Sequence, residues 1–209
     1  MKINSIKLNI DNNSIILRSP ELHEAEALLS YFKQLFHESS SFLNLPKDHY
    51  DNQNSDSQKK FIEQFNNSLQ SFVIVAVLSD KIIGHIIIDN YAFNRSNHRA
   101  KLVMGMLECI QNKGLGSALL RYSIEHLEQA NISSLELQVK SYNLKAIKLY
   151  EQFGFIRVGT IIAAAYIDGE YIDEYLYQKL SPSLKKILEN NKSADEEEVM
   201  EEQSIKFAF

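Results

Sequence analysis

Gln111-Asn112-Lys113-Gly114-Leu115-Gly116-Ser117 places two of the chain's seven glycines within three residues. The residues before it, Lys101 to Leu107, read as a strand. Those after it, Gly114 to Ala130, read as a helix, with Leu115, Ala118, Leu119, Tyr122 and His126 on one stripe. Glycines let backbone N–H groups approach a phosphate closely, and a helix N-terminus supplies unsatisfied donors and about half a positive charge. Lys113 adds a full charge. These residue types make a pyrophosphate cradle, with a plain strand-to-helix turn as the lesser alternative. Two ligand classes fall away. The dinucleotide fingerprint requires a third glycine where Leu119 stands, and the phosphate loop of NTPases requires a lysine immediately before Ser117.

Upstream, Ser14 to Arg18 is a short extended stretch, and Ser19-Pro20 predicts the cap and first position of a helix. Its apolar stripe is Leu22, Ala25, Leu28, Leu29, Phe32, Leu35 and Phe36. Glu38 to Ser57 reads as a loop, and a shorter helix carries Phe61, Ile62, Phe65 and Leu69. Phe72 to Leu78 and Ile82 to Asp89, joined by Ser79-Asp80-Lys81, predict a hairpin. Two helices followed by three strands already exclude a doubly wound nucleotide fold. Downstream, Leu135, Leu137 and Val139 alternate as a strand, and Asn143 to Phe153 is a helix closed by Gly154. Phe155 to Tyr166 and Tyr171 to Lys179 flank Asp168-Gly169, a strong hairpin signal. The class expected is α/β (α+β), with a mixed sheet flanked by helices on both faces.

At 209 residues, 44% apolar and 23% charged, the chain reads as one domain with a tail. The domain is expected over residues 1–180. Residues 181–209 hold four lysines against seven acids and read as a solvated acidic tail, with a short helix near Leu184 to Leu188. The body then carries 18 basic and 20 acidic groups, with no basic footprint for nucleic acid. Apolar runs reach seven residues, against about 20 for a membrane span. One cysteine, Cys109, excludes a disulfide framework and a cysteine-built zinc site. The six histidines show no ligand spacing, so no metal is expected. A soluble, cytoplasmic protein is the expectation.

The cradle residues resemble the GNAT superfamily of N-acetyltransferases, whose Gln/Arg-x-x-Gly-x-Gly/Ala signature is matched by Gln111 to Gly116 and extended through Leu120. A second block agrees: Leu137-x-Val139-x-x-x-Asn143-x-x-Ala146-x-x-Leu149-Tyr150-x-x-x-Gly154-Phe155. A third is Asp168-Gly169-x-Tyr171-x-Asp173, and His98-Arg99 resembles members related to spermidine and ribosomal-protein acetyltransferases. The match runs from about Ile16 to Leu180.

The resemblance implies a mainly antiparallel sheet splayed between its fourth and fifth strands. It also implies acetyl transfer from acetyl-CoA to a primary amine by direct attack, without metal. Backbone around Met104 to Glu108, with Met106 and Leu107 central, would pair with the pantetheine arm. Gln111, Asn112, Lys113, Gly114, Leu115, Gly116 and Ser117 would hold the pyrophosphate, and Asn143 would contact the arm. Tyr150 matches the family's general acid, although its place on the Ala146/Ile147/Phe153 stripe also suits a core aromatic. Glu108 is the carboxylate nearest the reacting strand and a candidate base, standing where the family often has proline. Glu38, Asp89 and, more weakly, Tyr91 are candidates for holding the acceptor amine. A covalent route through Cys109 lacks a His–carboxylate partner of recognisable spacing.

The acceptor expected is a small molecule: an amino acid, a polyamine or an antibiotic-like amine. A protein N-terminus or lysine is the alternative within the same chemistry, and a non-catalytic acetyl-CoA sensor is a different class. A homodimer through the C-terminal hairpin is preferred to a monomer by resemblance.

Overall fold

The computed structural model describes residues 1–42 and 46–191. The chain divides into two compact units, Met1–Lys179 and Leu180–Phe209. In the second, residues 182–191 are helical, and the acidic run Asp195 to Glu202 lies outside the described residues. Among the described residues no helix is long and apolar enough to cross a membrane.

The strands are β1 (Ile6–Ile10), β2 (Asn13–Arg18), β3 (Phe72–Leu78), β4 (Lys81–Asn90), β5 (Arg99–Met106), β6 (Ser134–Lys140), β7 (Ile156–Ile167) and β8 (Glu170–Leu180). The main helices are α1 (Ala25–Ser39), α2 (Ser55–Asn67), α3 (Leu115–Glu125) and α4 (Leu144–Gln152). One eight-stranded sheet runs in the order β1-β2-β3-β4-β5-β6-β8-β7. β1 to β5 pair antiparallel, as do β7 and β8, while β5 and β6 are parallel. β3 reads FVIVAVL and is buried almost throughout, as a central strand covered on both faces must be.

Four local expectations need correction. β1 precedes the predicted elements: Ile6, Leu8 and Ile10 alternate with polar residues, and Asp11-Asn12 makes the turn with φ of 50° and 61°. Ser19-Pro20 does not cap α1. Ser19 is buried, accepting the Ile3 N–H at 2.8 Å and donating to the Val73 carbonyl at 3.1 Å. The helix enters through a 3-10 turn at Leu22–Glu24, where Glu24 accepts the Glu21 N–H at 2.8 Å and two Arg18 bonds at 2.6 and 2.7 Å. Finally, α3 ends at Glu125 rather than Ala130, and Leu69 lies beyond α2 and is exposed.

Gly84 and His85 are neighbours on β4 and therefore mark opposite faces of the sheet. A side chain at Gly84 would meet Leu115 of α3, whereas one at Gly105, opposite His85, would meet Leu35 of α1. Gly105 is required by space: a Cβ there would lie 2.8 Å from Leu35 and 2.9 Å from the His85 ring. Beneath it, Tyr31 Oη donates to the Gly105 carbonyl at 3.0 Å and stands 2.8 Å from His85 Nδ1. One hydroxyl has one proton, so His85 must be the donor to Tyr31, as a neutral Nδ1–H imidazole.

Burial lowers the His85 pKa to about 4. The unfolded chain protonates this group near pH 6.5, the folded chain only near 4, so stability is full above 6.5 and falls as pH drops through that window. Between pH 7 and 4.5 the loss should be about 2 to 3 kcal/mol. Urea unfolding of wild type and His85→Gln at both pH values checks it. An equal pH effect in the two proteins would assign the loss to other groups.

The far edge of the sheet is unusual. β7 leaves Ile156, Val158, Ile162 and Tyr166 exposed. Its pairing with β8 shifts register between Ile161 and Ala165, where Ala163 has φ of 52° and donates its N–H to Asp173 Oδ1 at 2.9 Å.

Candidate active site

β5 and β6 pair at Arg99–Ser134, Ala100–Leu135 and Lys101–Glu136, and the pairing stops there. Beyond it β5 runs on to Met106 and β6 to Lys140, so the sheet forks. The N-terminal hairpin adds a strand, which makes this the gap between the fifth and sixth strands in chain order. Leu107 donates its N–H to the Ile83 carbonyl at 3.0 Å. Alternation along an antiparallel ladder then points Gly105 and Val103 toward β4 as well, and turns the amides of Met106, Met104 and Leu102 to the fork. Gln111 Nε2 donates to the Met106 carbonyl at 3.3 Å, consistent with that direction. Leu107 is therefore a correction: its amide is engaged on β4 and its side chain is buried. Met104 shares with Met106 the parity that faces the fork.

At the open end of β5, Glu108–Ile110 form a 3-10 turn and Gln111 to Gly114 lead into α3. Gly114 has φ of 93° with open space around it, so backbone conformation rather than crowding calls for glycine. Gly116 is close-packed, a Cβ there lying 3.0 Å from Met106 and 3.1 Å from Leu149. The N–H groups of Leu115, Gly116 and Ser117 fall in the first turn of α3 and have no intrahelical acceptor. Leu115 contributes only backbone, its side chain being fully buried. Lys113 pairs with Asp11 at 3.3 Å, both partly exposed, a contact weak enough to yield to an anion. Asn112 is exposed, with φ of 60°.

Asn143 caps α4, its Oδ1 accepting the Ala146 N–H at 3.2 Å. Tyr150 is buried on the inner face of α4 with the Phe155 ring at 5.8 Å, and burial pushes its hydroxyl up to about 12. That hydroxyl has no hydrogen-bond partner among the described residues. Glu38 accepts the Glu108 N–H at 2.9 Å and Gln34 Nε2 at 2.7 Å. The structure thus brings Glu38 and Glu108 together, but at the cradle end of β5. Tyr142, in the loop before α4, donates to the Ser41 carbonyl, and its ring meets Phe42 at 5.6 Å.

A cavity of about 270 Å³ sits where the strands part. Its polar lining includes Tyr91, Arg99, Lys101, Glu136, Gln138 and Gln178, with Val158 and Leu176 among its apolar wall. Arg99 grips Glu136 with two hydrogen bonds of 2.6 and 2.9 Å and lies 5.0 Å over the Tyr91 ring. The Tyr91 hydroxyl is 3.4 Å from Glu136. Tyr91 thus lines the cavity, whereas Asp89 does not: it accepts Ser71 Oγ at 3.3 Å on the neighbouring strand. Glu136 and Gln138 are absent from the sequence-based candidates. Their signal was the alternation of β6, which sets them opposite the core residues Leu135, Leu137 and Val139. Fork and cradle are roughly 14 Å apart by strand rise. No group of three His, Cys, Asp or Glu suited to a metal occurs among the described residues.

The acetyltransferase (GNAT) family model matches residues 32–155, more than half of the chain. The chain belongs to the GNAT family. It is 34% identical over 103 residues to L-amino acid N-acetyltransferase AaaT of Escherichia coli, an alignment covering 49% of this chain and 64% of that relative. It is 30% identical over 125 residues to an N-alpha-acetyltransferase of Sulfolobus acidocaldarius, covering 56% of this chain and 72% of the relative. A GNAT-family acetyltransferase structure from Streptococcus pneumoniae superposes with a TM-score of 0.76 at 29% identity, covering 80% of this chain and 99% of that one. The fold is thus shared with GNAT acetyltransferases, and acetyl-CoA is the donor this family uses.

Proposed function

We propose that this chain is an acetyl-CoA-dependent N-acetyltransferase acting on the primary amine of a small molecule. The observation that carries the reading is the fork itself, a strand edge with outward amides, a phosphate-binding helix start at one end and a charged cavity at the other. The donor, when bound, supplies an acetyl thioester. Met104 and Met106 present alternate backbone N–H and carbonyl groups, on which an extended arm docks as an added strand. The same amides stabilise negative charge developing on a carbonyl oxygen held there. The turn from Gln111 to Ser117 takes the pyrophosphate, and Asn143 flanks the arm from α4. The ammonium gives up one proton to solvent before attack. As the C–N bond forms and the C–S bond breaks, Tyr150, still protonated at neutral pH, donates a proton to the departing thiolate. It is reprotonated from solvent, to which the new amide nitrogen loses its second proton. Glu136 is the cavity's own carboxylate and holds the incoming amine. Glu38 and Glu108, at the other end of β5, shape the turn that precedes α3.

Within this reading residues 1–180 form the transferase domain and 181–209 a tail, and the exposed apolar edge of β7 supports a homodimer. A second acceptor class, a protein α-amine, is favoured by the N-alpha-acetyltransferase likeness. The test is thiol release from acetyl-CoA against amino acids, polyamines, aminoglycosides and short peptides, alongside calorimetric binding of acetyl-CoA. Turnover with one acceptor class is the expected result. Tight binding without any turnover would favour the sensor reading, and no binding would overturn the proposal.

A further inference from the structure

Resting on that reading, we infer that the cavity at the fork selects a compact amine with an anionic group beside it, foremost a free α-amino acid, and that Lys101 is its carboxylate anchor. Charge decides between acceptor classes. The lining holds two cations, Arg99 and Lys101, against one anion, Glu136. Arg99 directs two nitrogens onto Glu136. Lys101 lines the cavity with no ion pair within 4.0 Å among the described residues. A polycation would bring more positive charge against an uncompensated lysine, and like charges placed close together repel. Polyamines and aminoglycosides are therefore poor occupants.

The placement of the charges narrows the class further. Lys101 and Glu136 are direct partners across the parallel strands, so an anion-binding and a cation-binding group stand on adjacent strands about 4.8 Å apart. An α-amino acid presents an ammonium and a carboxylate on one carbon, so one compact molecule can address both groups. A carboxylate has about four acceptor positions. Arg99 occupies two on Glu136, the Tyr91 hydroxyl approaches a third, and one remains for the ammonium. The cavity, at about 270 Å³, falls below the range of roughly 300–1,000 Å³ typical of drug-sized ligands. Val158 and Leu176 offer an apolar wall for a short aliphatic side chain. A peptide α-amine would carry a neutral amide where Lys101 waits for a carboxylate.

The experiment compares L-alanine and L-leucine with their carboxamides and with spermidine, by acetyl transfer and, separately, by calorimetric binding in the presence of CoA. The free acids should show KM values at least about tenfold below the amides, with spermidine poorest. Lys101→Glu should raise KM for the acids at least about tenfold while leaving kcat within about twofold, the pattern for lost uniform binding. Lys101→Met should remove the preference for acid over amide. Lys101 is solvent-exposed, and the wild-type acceptor series stands without any variant. Equal use of acids and amides, or a preference for spermidine, would overturn the inference and leave the transferase reading standing. Should nothing be acetylated, the transferase reading falls. The binding series then decides alone: acids bound over amides uphold the Lys101 anchor, and no difference overturns it.

Discussion

Tyr150→Phe is expected to lower kcat by about 10²- to 10⁴-fold and to leave folding stability nearly unchanged. The ring packs against Phe155 in either protein, so the substitution removes only an oxygen. The hydroxyl has no partner among the described residues, so its removal leaves no donor or acceptor there unsatisfied. What the oxygen can do is release a proton. With a pKa of about 12 it remains a donor throughout the range where an amine nucleophile is deprotonated. The rate should therefore show no alkaline loss attributable to Tyr150 below about pH 10. Steady-state rates with acetyl-CoA binding and melting temperature measured in parallel would check this. Full activity in the variant would return Tyr150 to the core.

Lys140→Met should cause the largest loss of stability, about 3 to 5 kcal/mol. Lys140 closes β6, and its ammonium meets Glu174 of β8 at 2.7 Å, with the two side chains 1% and 5% exposed. Two buried charges in contact do not make a strong case for net stabilisation, because both were desolvated to get there. Removing one is different, since it leaves a carboxylate in an apolar setting without a counter-charge. For a chain of this size the melting temperature should fall by roughly 10 °C. Lys140→Met combined with Glu174→Leu should recover most of the loss, because the double variant removes both desolvation penalties. Thermal melts of the two single variants and the double variant test it. Additive losses would mean that the pair is not coupled.

The cradle is legible in the sequence because every cue in it is local: two glycines, a cation and the onset of a helical stripe. The Asp168-Gly169 hairpin is legible for the same reason, its φ values of 50° and 90° being written into residues that tolerate them. The fork is not local. It depends on where pairing between Arg99 and Ser134 begins and where it ends after Lys101. Leu107 illustrates the limit. Whether its amide faces β4 or the fork is a matter of pleat parity, set by Ile83, which no spacing around residue 107 reveals. Glu136 shows it again, since its significance comes from Arg99, 37 residues away. Ser19-Pro20 has the composition of a cap, yet burial between Ile3 and Val73 gives Ser19 other work.

A long apolar strand at the rim of a sheet is a template for indefinite stacking of copies. β7 has that composition, but its kink at Ala163, pinned by Asp173, breaks the straight row of donors and acceptors that a growing fibril needs. One side chain, that of Asp173, thus holds the irregularity that keeps this rim from presenting an unbroken edge. A chain relieved of that pin would gain a flatter rim and, with it, a route to amyloid-like assembly.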